Sequence, residues 1–117
     1  MRKRFKIDIY HTFFTVIYID DLVNLYEDYP VLKDKIDLSE YGAVTFQDIG
    51  KSGCREFYIG ISKNDCSFGL ISHEIVHLVN YIFKYRGVYA DLENDEPQAY
   101  LTQLITSKIT KFIYGKK

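Results

Sequence analysis

The sequence predicts an α+β fold of order ββαββαα, a single domain spanning residues 1–117. Three observations carry that prediction. The first half alternates apolar and polar residues or runs in β-branched and aromatic ones, as strands do. A Gly-bounded turn joins two of these runs. The second half holds two long stretches with helical periodicity. The expected architecture is a small antiparallel or mixed sheet packed on two helices, the second of them C-terminal.

Residues 5–10 alternate (Phe, Lys, Ile, Asp, Ile) and read as a half-buried strand. Residues 12–19 are aromatic and β-branched, and read as a second. Asp20 and Asp21 offer capping carboxylates for a short helix carrying Leu22, Val23, Leu25 and Tyr26, which Pro30 ends. Residues 33–40 are polar and give no clear element. Strands over 43–48 and 54–62 flank Gly50-Lys51-Ser52-Gly53, which suits a hairpin turn. Asn64 and Asp65 precede a helix over about 67–86 that Gly87 caps. An acidic loop leads to a last helix, with Asp95 as its expected cap and Pro97 in its first turn.

Composition narrows the function. The chain carries 15 basic and 16 acidic residues, net charge −1, so it lacks the electrostatic footprint of a nucleic-acid binder. Arg2, Lys3, Arg4, Lys6, Lys116 and Lys117 read as solvated ends. The apolar run over 13–19 is too short and too β-branched for a signal core or a membrane span. Cys54 and Cys66 form no disulfide framework or Cys-x-x-Cys pair and read as reduced, buried thiols of a cytoplasmic protein. Eleven Tyr and eight Phe are expected mainly to fill and rim the core.

His73-Glu74-Ile75-Val76-His77 is the motif that carries chemistry. On a helix, positions four apart stack on one face, so two imidazoles can share one metal ion. Glu74 then reaches a metal-activated water as general base. On a helical wheel His73, His77, Asn80 and Lys84 fall within about 60° of one another, opposite the apolar stripe of Ile71, Ile75, Leu78 and Ile82. A histidine that merely fills a core would more often lie within that stripe. Two His and one carboxylate leave a zinc position open, as catalysis needs. Glu96, at the start of the last helix, is the expected third ligand because it shares a polar face with Tyr100, Gln103 and Ser107, while Leu101, Ile105 and Phe112 face the core. Glu93 competes for the role, and Asp91 and Asp95 stay open.

His73 to His77, followed by Glu96-Pro97-Gln98-Ala99-Tyr100-Leu101, resembles the small glutamate-ligand zincin metallopeptidases. These share H-E-x-x-H and a later E-x-x-A on a following helix, as in ImmA/IrrE-type peptidases and short zincin-like proteins of phages and mobile elements. The resemblance covers the C-terminal half. Tyr100 stands where the ImmA/IrrE type has Asn or Asp, and the gap between ligands is short, which points to the stand-alone type. It implies a minimal zincin-like domain binding Zn²⁺ through His73, His77 and Glu96, with Glu74 as base. It also implies a peptide or protein substrate, and assigns residues 55–61 as the cleft-edge strand along which the peptide lies.

Amide hydrolysis would need an oxyanion donor besides the metal, and His11, Tyr81, Tyr89 and Tyr100 are candidates. Asn80 and Gln103 could orient the ligand imidazoles. Two other classes compete with the enzyme: a zincin scaffold that binds a partner protein without turnover, and a metal-free domain whose histidines are surface residues.

Overall fold

The computed structural model describes residues 1–51 and 53–115. Ser52 of the expected hairpin turn, and the terminal Lys116 and Lys117, lie outside them. Four strands form one mixed sheet: β1 (Arg2–Ile7), β2 (Thr12–Ile19), β3 (Ala43–Ile49) and β4 (Arg55–Ser62), in the order β1-β2-β4-β3. β1 pairs antiparallel with β2, β3 antiparallel with β4, and β2 parallel with β4. Three helices complete the fold: α1 (Leu25–Asp28), α2 (Phe68–Arg86) and α3 (Glu96–Tyr114). The molecule is a small α+β fold, with no helix among the described residues long and apolar enough to cross a membrane.

Strand alternation sends side chains to both faces of the sheet, and both are covered. On one face Phe14, Val16, Phe57, Ile59 and Ile61 pack against Ile71, Ile75, Leu78 and Ile82 of α2 and Leu101, Ile105 and Ile109 of α3. Each such fully buried side chain contributes roughly 1.5–3 kcal/mol. On the other face Ile17, Val44 and Phe46 pack under Leu22, Leu25, Leu32 and Leu38. Gly60 of β4 is a necessary gap there, because a Cβ would stand 2.9 Å from Leu25 Cδ1.

Several expectations need correcting. The first strand starts earlier and ends at Ile7. Asp8–Tyr10 turns as a 3₁₀ segment, and His11 adopts φ 47°, so that Ile7 can face Thr12 across a tight reversal. The N-terminal basic residues belong to β1 and are solvated there as expected, with Arg2 pairing with Asp28 at 2.8 Å and Arg4 with Glu56 at 3.2 Å. Asn64 and Asp65 sit in a short 3₁₀ turn, and Ser67 is the residue that caps α2, its hydroxyl accepting from the Leu70 amide at 3.1 Å. Asp95 precedes α3 without a side-chain cap bond. Gly87 closes α2 with φ 71°, as its position implied. The cysteines are not buried thiols: Cys54 is exposed, and Cys66 is half-buried with Sγ 3.1 Å from the Tyr114 hydroxyl.

The largest topological correction concerns the cleft edge. Residues 55–61 belong to β4, which is paired on both sides and has no open edge. The outer strand beside α2 is β3. The chain from Asp20 to Gly42 crosses the sheet so that β4 inserts next to β2, which pushes β3 to the rim.

Candidate metal centre

α2 lies across the sheet with Ile71, Ile75, Leu78, Val79 and Ile82 turned inward. That burial turns His73 and His77 outward, one helical turn apart. The His73 side chain is 67% exposed, whereas Glu74, one residue further round the helix, is 9% exposed. The two imidazoles converge: their Nε2 atoms are 3.3 Å apart and their rings meet edge to face.

That separation tests the fit to zinc. Two nitrogens at about 2.0–2.1 Å from a tetrahedral zinc stand about 3.3–3.4 Å apart. Hydrogen-bonded nitrogens and oxygens typically lie at about 2.7–3.2 Å. The pair therefore has the spacing of two ligands on one tetrahedral metal, and without a metal the same 3.3 Å lets one imidazole donate to the other.

Glu74 is fixed from across the groove. Thr45 of β3 is buried, and its hydroxyl lies 2.7 Å from Glu74 Oε1 and 3.1 Å from the Glu74 carbonyl, donating to this residue. A 2.7 Å separation is that of a well-formed O–H···O hydrogen bond. The other oxygen, Oε2, is 4.0 Å from His73 Nε2. One carboxylate oxygen is thus anchored to the sheet and the other is turned toward the imidazole pair.

These groups line a groove of about 670 Å³ between α2 and β3, walled by Gly42, Ala43 and Val44 and by Ile36, Glu40 and Tyr41 of the preceding segment. Tyr81, one turn beyond His77, lines it too, its ring centroid 6.5 Å from that of His77. Of the four oxyanion-donor candidates, Tyr81 is the one in the groove. His11 lies at the opposite end of α2 beside Arg86, Tyr89 is 91% exposed, and Tyr100 is exposed on α3. No hydrogen bond among the described residues joins Asn80 or Gln103 to either imidazole.

Glu96 stands on the exposed first turn of α3, and Asp91, Glu93 and Asp95 are exposed in the loop before it. Among the described residues no three His, Cys, Asp or Glu side chains are gathered as a metal-holding group. The fold pairs His73 with His77 and turns Glu74 toward the same groove, which neither Glu96 nor Glu93 lines. Two groove residues escaped the sequence reading. Thr45 had a faint signal, as a polar residue on a strand position that faces the core. Glu40, a carboxylate lining the same groove, had none, because its segment showed no periodicity.

Compared with known protein families, curated proteins and solved structures, the chain matches none of them. The functional reading rests on the site itself.

Proposed function

We propose that the chain is a zinc-dependent hydrolase of peptide bonds, a minimal zincin-like metallopeptidase. The observation that carries this reading is the 3.3 Å imidazole pair with a sheet-anchored carboxylate beside it at the floor of an open groove. His73 and His77 hold the metal, and Glu96 is the proposed third ligand because it opens α3, the helix packed against α2. When bound, zinc supplies Lewis acidity that brings the pKa of a coordinated water to near neutrality.

The residues of the chain do the rest. Glu74 takes a proton from the attacking water on the oxygen that Thr45 does not hold, and delivers it to the leaving amine. Tyr81 offers a phenolic donor to the carbonyl oxygen as it gains charge. The substrate main chain lies along the open edge of β3, where an extended peptide can add as a further strand.

A second reading, a zincin scaffold that grips a partner without turnover, draws support from the absence of a third ligand gathered with the histidines among the described residues. Incubation of the zinc-supplied protein with a peptide mixture, read by mass spectrometry, separates the two. The hydrolase reading expects new termini from the wild type and a rate lower by about 10²–10⁴-fold for Glu74→Gln. Equal product patterns from both proteins, or none from either, would refute hydrolysis by this site.

A further inference from the structure

The groove continues past the histidines. Tyr81 also lines an adjoining cavity of about 380 Å³, whose other walls are Gln47, Arg55, Lys84 and Tyr85. Arg55 and Tyr85 border a further cavity of about 240 Å³ that reaches Arg86. No carboxylate lines the middle cavity. Among the described residues no Asp or Glu forms an ion pair with Arg55, Lys84 or Arg86; the nearby Glu56 is taken by Arg4.

The two guanidiniums are held in place without being neutralised. Arg55 Nη1 donates to Gln47 Oε1 at 3.2 Å, and its Cζ lies 5.9 Å from the Tyr85 ring centroid. Arg86 Nε donates to Thr12 Oγ1 at 2.9 Å and its Nη2 to the His11 carbonyl at 2.7 Å, with Cζ 4.6 Å from the same ring. Neutral acceptors and a ring face orient a cation without an ion pair; Glu56, which lines the further cavity with both guanidiniums, is paired with Arg4. The C-terminal dipole of α2 accounts for Lys84 and Arg86 in the last turn. It does not account for Arg55, which comes from β4 and turns into the same cavity.

We propose that this cavity binds acidic side chains of a peptide whose neighbouring residues occupy the histidine groove. A pocket with two cations, a side-chain amide and two tyrosines around an unfilled space suits a carboxylate, which Arg can meet in a bidentate fork. A peptide is the occupant because Tyr81 lines both the cavity and the groove, and Gln47 of the edge strand β3 forms one wall of the cavity. The net charge of −1 over the chain provides no field for tracking a phosphate backbone. The inference rests on the peptide-hydrolase reading for the path of the chain through the groove, and the two can fail separately.

The test uses zinc-supplied Glu74→Gln protein, so that binding is read without cleavage. Fluorescence anisotropy compares labelled peptides of alternating Glu and Ala with the same peptides bearing Gln or Lys in place of Glu. The Glu peptide is expected to bind most tightly, weakened about five- to tenfold by Arg55→Gln and by Lys84→Glu. Lys33→Glu changes the net charge as much as Lys84→Glu but lies at an exposed position elsewhere, and it leaves binding unchanged. Equal affinity for Glu and Gln peptides, or equal losses from Lys33→Glu and Lys84→Glu, would overturn the assignment. So would tighter binding of an oligothymidylate of the same charge, which would make the ligand a nucleic acid. An acidic preference in binding with no cleavage by the wild type would sustain the cavity and sink the hydrolase. Cleavage with no acidic preference would do the reverse.

Discussion

A hydroxyl on β3 decides how the reactive carboxylate stands. Thr45 and Glu74 are 29 residues apart, and no local spacing could reveal their 2.7 Å contact. The histidine pair was legible because the geometry of an α-helix ties positions four apart to each other. Thr45→Val keeps the β-branched shape and removes the donor, leaving a buried carboxylate oxygen without its partner. The expected cost is about 1–3 kcal/mol of stability. The rate at saturating substrate should fall about tenfold, as for a misoriented general base, with zinc content unchanged. Thr45→Ser should restore both. If Ser and Val behave alike, the hydroxyl has no positioning role.

At the scale of elements, α2 could be read almost completely from sequence. Its apolar stripe, its outward histidines and its Gly87 cap are consequences of local periodicity and backbone freedom, and each is found where the wheel put it. The sheet was legible only as a set of strands. Pairing β2 with β4 in parallel depends on how residues 20–42 pack over the far face, which is a long-range outcome with no local signature. That packing builds an aromatic cluster of Tyr29, Phe46 and Tyr58, with ring centroids 4.7–5.2 Å apart. Burial first, then the nearby Glu56, pushes the Tyr58 phenol from 10.0 up to about 12. The folded state therefore favours the protonated phenol. Its contribution to stability is full below pH 10 and is lost as pH rises from 10 toward 12. Denaturation midpoints measured across that window should fall with pH in the wild type and fall less in Tyr58→Phe; identical slopes would remove Tyr58 from the account.

Across the whole molecule, the layered arrangement explains why a chain of 117 residues can present an open site. Both sheet faces are buried, under α2 and α3 on one side and under the 22–38 segment on the other, so the core does not rely on the groove being closed. The order of elements followed from the sequence, since hydrophobic period and turn residues are local. The assembly of the site did so only in part. The two imidazoles come from one helix, whereas a third ligand must come from elsewhere in the fold, and Glu96, Glu93 and Glu40 occupy three different surroundings. The most direct measurement is zinc content and affinity of the purified protein beside His73→Ala, His77→Ala, Glu96→Ala, Glu93→Ala and Glu40→Ala. The account predicts about one zinc per chain, as one tetrahedral site holds, lost in both histidine variants and in Glu96→Ala and kept in the other two. A wild type that takes up no zinc when it is supplied, or one whose zinc survives loss of both histidines, would contradict it.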